Sequence, residues 1–354
     1  MPPRPREKQP LPSLPTGPLN ECDDIVTDKI PQDTYEPDDR PIDIVWRNVV
    51  VFVILHSVAL YGLYLCFISA MWTTTIYGIL LYQMSAFGIT GGAHRLWAHR
   101  SYKAKWPLKV ILLICQTLAH QNSVIEWSRD HRVHHKFQET DADPHNAKRG
   151  FFFSHMGWLL CKKHQEVKNK GKGVDMSDLY AEPLLRLQHK YFLVLMPIVC
   201  FVLPTIIPML LWNETFMNAY CVNILRYICA LHATWLVNSA AHMWGSKPYD
   251  KFINPVENRL VSFFAIGEGW HNYHHTFPWD YKAAEFGRIN LSLTIINLFA
   301  KIGWAYDLKT VSKEMIEKRV TRTGDGSHEI WGWGDKDQTK ENYESAVIYN
   351  KKDE

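Results

Sequence analysis

The stretch 48-NVVVFVILHSVALYGLYLCFISAMWTTTIYGILLYQMSAFGITGGAH-94 runs for 47 residues without a Lys, Arg, Asp or Glu. A membrane crossing needs about 20 predominantly apolar residues. The run is therefore too long for one crossing and fits two, over about 46–68 and 72–93, with a tight turn near 69-SAMWTT-74. The competing reading is a buried helical hairpin of a soluble core, but such cores seldom need so long a charge-free stretch.

A second apolar block begins at 191-YFLVLMPIVCFVLPTIIPMLLW-212, turns through 213-NETFMN-218 and continues as 219-AYCVNILRYICALHATWLVNSAAHMW-244. It supplies crossings over about 191–211 and 218–240. Pro197, Pro204 and Pro208 would kink a soluble helix but are tolerated in membrane helices. Arg226 is out of place there and must snorkel or meet a partner. The segment 108-LKVILLICQTLAH-120 is apolar but short, which suits a helix lying at the interface. The expected fold is thus an all-α integral membrane protein with four transmembrane helices and a helical cap.

Four crossings put the N-terminus, the 95–190 loop and everything after about 240 on one side. Arg95, Arg100, Lys103, Lys105 and Lys109 open the central loop, whereas the two turns on the other side carry no Lys or Arg. The positive-inside bias places the loop, and hence both termini, in the cytosol. Asn213-Glu214-Thr215 forms a glycosylation pattern in a lumenal turn, too close to the bilayer for modification.

Residues 1–43 hold ten of the 19 prolines and have no periodic apolar run or cleavable signal, so they read as a disordered cytosolic tail. Residues 44–310 form the membrane domain. Residues 311–354 read as a polar cytosolic tail, loose or partly docked, with 330-IWGWG-334 as its apolar element. A net charge of +3 argues against a nucleic-acid binder. The seven cysteines form no CxxC pattern, which points away from a disulfide scaffold.

Three groups of histidines lie on the cytosolic side of this plan: 94-HRLWAH-99, 131-HRVHH-135 and 271-HNYHH-275. His131, His134 and His135 follow an i, i+3, i+4 pattern, and His271, His274 and His275 repeat it. On a helix these share a face, while the i+3 and i+4 members diverge by about 100° and can reach two neighbouring ions. His94 and His99 are five apart, about 140° on an ideal helix, and need not share an ion. His242, in 238-NSAAH-242, is a ninth candidate, and Asn238 one turn earlier could hold a metal-bound water. Nine imidazoles exceed one ion and suit a dinuclear centre. Imidazole accepts zinc, copper, iron and nickel. Iron ranks ahead of zinc because no cysteine joins the groups and zinc has no redox chemistry.

The remaining histidines (His56, His120, His145, His155, His164, His189, His232 and His328) read as surface or hydrogen-bonded groups. Asp130, Glu139, Asp141, Asp143, Glu268 and Asp280 are close enough in sequence to accept the second N–H of a ligating imidazole, with Asp130 and Glu268 nearest to a histidine motif. A metal centre at the end of apolar helices suggests a lipid substrate. Arg129, Lys148 and Arg149 are cationic groups suited to an anionic head.

These three motifs, with their surroundings 126-EWSRDHRVHHKFQETDADPHN-146 and 266-IGEGWHNYHHTFPWDYKAAE-285, closely resemble those of membrane fatty acyl-CoA desaturases. The resemblance covers about residues 40–310 and is to the animal stearoyl-CoA (delta-9) desaturase group in an insect-like form. It implies a multi-pass endoplasmic-reticulum enzyme that installs a cis double bond in a saturated fatty acyl-CoA, with delta-9 as the first expectation. It implies dioxygen as co-substrate, and two electrons from cytochrome b5 and its NADH-dependent reductase. The absence of an HPGG-type heme motif points to a separate cytochrome b5. Two irons would be held by His94, His99, His131, His134, His135, His242, His271, His274 and His275, with Asn238 acting through water. Gln121, Trp127, Thr234 and Trp235 match residues lining a bend in the family's substrate tunnel, with Asn122 in the same region. Tyr82 and Ala86 match its closed end. The alternatives are a histidine-rich di-iron lipid hydroxylase and, from another class, a metal-binding membrane transporter. Mass gain or loss in the product separates the first, and turnover separates the second.

Overall fold

The computed structural model describes residues 42–287, 289–328 and 338–348. Most of the expected N-terminal tail and the 330-IWGWG-334 segment lie outside them.

The first apolar run becomes α1 (Trp46–Ile68) and α2 (Trp72–Phe87). Without a break, α2 widens into a π-helix over Gly88–Ala98 in which every residue is buried. The α-helical part is thus shorter than the expected span 72–93, and its last turns are enclosed by protein. After the short strand β1 (Lys103–Ala104) come α3 (Trp106–Ala119) and α4 (Val124–Phe137), bent by 81° to each other. Pro107 starts α3 in the first turn, where its missing N–H costs nothing. His120 ends it in the left-handed region, and a Ser123–Glu126 capping box starts α4.

Short helices follow: α5 (Phe151–His155), α6 (Gln165–Lys172) and α7 (Ser177–Ala181). A long bent helix then comprises α8 (Pro183–Met196), a π segment at Pro197–Val202 and α9 (Leu203–Trp212). It leads into α10 (Phe216–Asn238), whose last turn tightens to a 3-10 form at Ala240–His242. The cap is completed by α11 (Arg259–Phe264), α12 (His271–Thr276), α13 (Leu291–Lys301), β2 (Ala305–Tyr306), α14 (Lys313–Thr323) and α15 (Lys340–Ser345). β1 and β2 form a two-residue antiparallel pair. The chain is therefore largely helical and multi-pass. Among the described residues, α1, Pro183–Trp212 and Phe216–His242 are each long and apolar enough to cross a membrane. α2 with its π extension is the remaining apolar helix of the expected four.

α10 is the central helix, packed against α1, α2 and α9. Small residues let the backbones meet. A Cβ on Gly62 would lie 2.3 Å from the Cys221 carbonyl oxygen, and one on Gly88 would lie 2.3 Å from the backbone of Cys115 and Gln116 in α3. Arg226 does not snorkel. It is buried, and its guanidinium donates to Asn223 Oδ1 (2.6 Å), the Cys200 carbonyl (2.9 Å) and the Leu118 carbonyl (3.0 Å). Pro204, four residues after Cys200, has no N–H to offer that carbonyl. Arg226 and the Asn223 amide (3.0 Å) take its place.

Part of the C-terminal segment is docked. Val311, Ile316 and Val320 pack with Tyr249, Tyr273 and Phe277, and the Thr323 hydroxyl donates to the Tyr249 carbonyl at 2.7 Å. Since Tyr273 lies within the third histidine motif, α14 packs directly behind it.

Candidate metal centre

The nine histidines singled out by the motifs converge in two groups. The ligand nitrogens of His94, His99, His131, His135 and His274 lie within 4.8 Å of one another, and so do those of His134, His242, His271 and His275. The i and i+4 members of each HxxHH motif stay together, and the i+3 member crosses to the other group. The 100° divergence on a helix accounts for this exchange. The pairing of His94 with His99 is not what an α-helix would give. The π-helix aligns them: the His99 N–H donates to the His94 carbonyl at 3.0 Å, an i→i+5 bond that places residue 99 one turn beyond residue 94.

Three carboxylates fix the imidazoles. Glu268 approaches His94 Nδ1 at 3.0 Å, Asp143 approaches His134 Nδ1 at 3.0 Å and Glu139 approaches His242 Nδ1 at 2.9 Å. A carboxylate only accepts, so each Nδ1 carries the proton and each Nε2 presents a lone pair. The Nε2 atoms then crowd together: His94–His274 2.9 Å, His99–His131 2.8 Å, His135–His274 3.1 Å, His242–His271 3.1 Å and His271–His275 3.0 Å. For His94 and His242 the crowded Nε2 is a lone pair, because the ring proton lies on the carboxylate side. The convergence of ring nitrogens suits a cation in each group. Burial, reinforced by neighbouring imidazoles, pushes His99, His131, His135, His271, His274 and His275 well below the usual histidine range. They are neutral and available as ligands.

Of the carboxylates named by sequence proximity, Glu268, Glu139 and Asp143 meet histidines. Asp130 instead pairs with Arg129 and Lys163, and Asp280 accepts from Tyr273, Thr310 and the Val311 N–H. Arg95 was not singled out as a site residue. Fully buried, it donates to Glu268 at 2.8 Å and to the carbonyls of Tyr281 and Lys282, holding the carboxylate that orients His94. An arginine directly after a ligating histidine was the available signal.

A cavity of about 50 Å³ opens onto both groups, lined by Ala86, Trp127, Thr234 and Asn238 together with His94, His131, His134 and His271. Trp127 Nε1 donates to Gln121 Oε1 at 3.2 Å, and Gln121 Nε2 donates to Thr234 Oγ1 at 2.9 Å. The Asn122 carbonyl accepts from Gln116 at 2.7 Å. Trp235 is not in that lining and packs among Phe52, His155 and His232. Tyr82 lies one turn before Ala86, donates to the Phe264 carbonyl at 2.5 Å and borders a separate apolar cavity of about 830 Å³. Arg129 pairs with Asp130, the Lys148 N–H donates to Asn146, and the Arg149 guanidinium lies 3.6 Å over the Phe153 ring. None of these three cations lines either cavity.

A family model described as fatty acid desaturase matches residues 70–285. The chain is 66% identical over 312 residues to the "Acyl-CoA Delta-9 desaturase" of Acheta domesticus, covering 87% of each chain. It is 58% identical over 316 residues to the "Acyl-CoA Delta12-desaturase" of the same species, covering 88% of each. It is 51% identical over 323 residues to the "Stearoyl-CoA desaturase" of Homo sapiens, covering 89% of this chain and 90% of that one.

Proposed function

The chain belongs to the fatty acid desaturase family and is an acyl-CoA desaturase, and from that premise we propose that it inserts a cis double bond at delta-9 of a saturated fatty acyl-CoA. The observation that carries the reading is the pair of convergent histidine groups bordering one small cavity. The 66% identity to a delta-9 enzyme, against 58% to a delta-12 enzyme, favours the bond position.

His94, His99, His131, His135 and His274 would hold one iron, and His134, His242, His271 and His275 the other, with Asn238 placed to hold a water. When bound, the irons supply the oxidising chemistry that removes two hydrogens, with dioxygen and two electrons from cytochrome b5 and its reductase as co-reactants. The five-histidine group exceeds the four ligands of a structural zinc site, and two adjacent all-imidazole groups with no thiolate suit a pair of redox metals.

Glu268, Asp143 and Glu139 keep the Nε2 lone pairs aimed inward. Trp127, Thr234 and Ala86 shape the cavity, exclude water and hold the acyl carbons at a fixed depth. The Trp127–Gln121–Thr234 hydrogen bonds stiffen the wall where the chain would bend, with Asn122 and Trp235 supporting the same region. Tyr82 and Ala86 limit chain length, and Arg129, Lys148 and Arg149 serve the anionic head. The enzyme would reside in the endoplasmic-reticulum membrane with termini and active site in the cytosol.

The test is expression in a yeast lacking its own acyl-CoA desaturase, followed by double-bond mapping of the lipids. A cis delta-9 product that disappears with His274→Ala is the expected result. A product unsaturated at another position, or one bearing an added oxygen, refutes it.

A further inference from the structure

His99 and His131 come from different segments, yet their Nε2 atoms are only 2.8 Å apart, the shortest approach between two of these imidazoles. Each is followed directly by an arginine, Arg100 and Arg132, and both arginines grip one carboxylate. Arg100 donates through Nε and Nη2 to the two oxygens of Asp178, both at 2.8 Å. Arg132 donates to the same two oxygens through Nη1 at 2.9 Å and Nη2 at 2.8 Å. Two bidentate forks on one carboxylate fix the arginines in direction as well as distance.

Arg132 also crosses from α4 to the π-helix. It donates to the Trp97 carbonyl at 2.8 Å and the Ala98 carbonyl at 3.1 Å, the two residues before His99. The last carbonyls of a helix lack intrahelical partners, and a cation there also complements the helix dipole. Arg132 therefore caps the segment that presents His99 while standing next to His131. Asp178 lies on α7, more than 40 residues from either motif, and its carboxylate bonds run to the two arginines and not to a histidine.

We propose that Asp178, acting through Arg100 and Arg132, is the positioning residue that sets the His99–His131 pair and hence the five-histidine group. Resting on the two-metal reading above, this assigns a residue outside every histidine motif to one of the two metal positions. The four-histidine group is oriented by other carboxylates. Its orienting carboxylates, Glu139 and Asp143, belong to the loop after α4.

The test is ferrous iron binding by the full chain in detergent, without oxygen, with iron counted by elemental analysis and affinity set by a graded chelator. The wild type should hold two irons. Asp178→Ala should keep one at wild-type affinity and bind the other about 10-fold more weakly, the lower end of the loss for removing a direct partner of a ligand, because Asp178 acts at one remove. Asp178→Glu should recover most of that affinity. Asp43→Ala, which breaks the exposed Lys162–Asp43 pair, should keep both irons. The metal-free thermal midpoints of the Asp43→Ala and Asp178→Ala proteins should agree, separating positioning from general stability. If Asp178→Ala fails to fold, Asp178→Asn, which keeps the shape and loses the charge, is read by the same criteria.

Two irons at wild-type affinity in the Asp178 variants overturn the proposal while leaving the two-metal reading intact. Equal weakening of both irons, or no recovery in Asp178→Glu, overturns it as well. Fewer than two irons in the wild type overturns the two-metal reading itself and this inference with it.

Discussion

Glu139→Ala should weaken the iron of the four-histidine group and leave the other in place. Glu139 and His242 are both buried, and Oε1 accepts the His242 Nδ1 proton at 2.9 Å. The alanine removes that acceptor and strands a buried N–H. A hydrogen bond to a charged group contributes about 1.5–3 kcal/mol. At about 1.4 kcal/mol per decade this is roughly a 10- to 150-fold loss in affinity. The independent expectation for a lost partner of a metal ligand is about 10- to 100-fold, so the two routes agree. Glu139→Gln should fall between wild type and alanine, because its amide oxygen can still accept the proton without the charge. The assay is chelator competition on the purified protein, repeated in a His99→Ala background where the five-histidine group is already broken. If Glu139→Ala retains wild-type affinity for the remaining iron in that background, carboxylate orientation of His242 is refuted.

Burial pushes the Glu257 carboxyl up to about 8, opposed by hydrogen bonds from the Tyr273 and Asn272 backbone. The folded state then holds a proton that the unfolded chain releases above its ordinary carboxylate range. Stability should fall as pH rises from about 4.5 to about 8 and level off beyond. Glu257→Gln should melt at a higher temperature than wild type at pH 8.5 and approach it at pH 5; matching melts at both pH values would exclude this. Ala86→Leu narrows the cavity beside the histidines and should shift products to shorter acyl chains, seen by lipid mass profiling. An unchanged chain-length distribution would remove Ala86 from that role. Arg226→Met strips the Arg226 donors from the Leu118 carbonyl and Asn223 Oδ1 and leaves the Cys200 carbonyl with the Asn223 amide alone, at about 1–3 kcal/mol for each group left unsatisfied. Its thermal midpoint in detergent should drop clearly, and a neutral or stabilising effect would contradict the account of the Pro204 gap.

Charge-free length marked out the apolar helices, because a membrane solvent imposes one constraint that sequence displays directly. The i, i+3, i+4 spacing displayed the histidine faces in the same way. It did not display which histidines share a group at His94 and His99, since the rule applied was that of an α-helix and the local backbone is a π-helix. Sequence proximity found Glu268, Glu139 and Asp143 but gave Asp130 equal standing with Glu268. Only the placement of Lys163, more than 30 residues away, shows where Asp130 is engaged. Arg226 likewise looked misplaced until the carbonyl freed by Pro204 was brought beside it. The docking of α14 behind Tyr273 depends on Val311 just before the helix and on Ile316 and Val320 within it, too sparse a signal to read unaided.

The wide helical turn at Gly88–Ala98 changes what counts as an equivalent spacing. In an ordinary helix, partners one turn apart are separated by three intervening residues; here they are separated by four. A chain with one residue fewer between the two histidines and an unwidened helix would present the same pair of nitrogens. The number of residues between two ligands is therefore a poor yardstick for relatedness, whereas the count taken together with the local winding is a good one. A search for similar centres should admit both lengths and ask which backbone accompanies each.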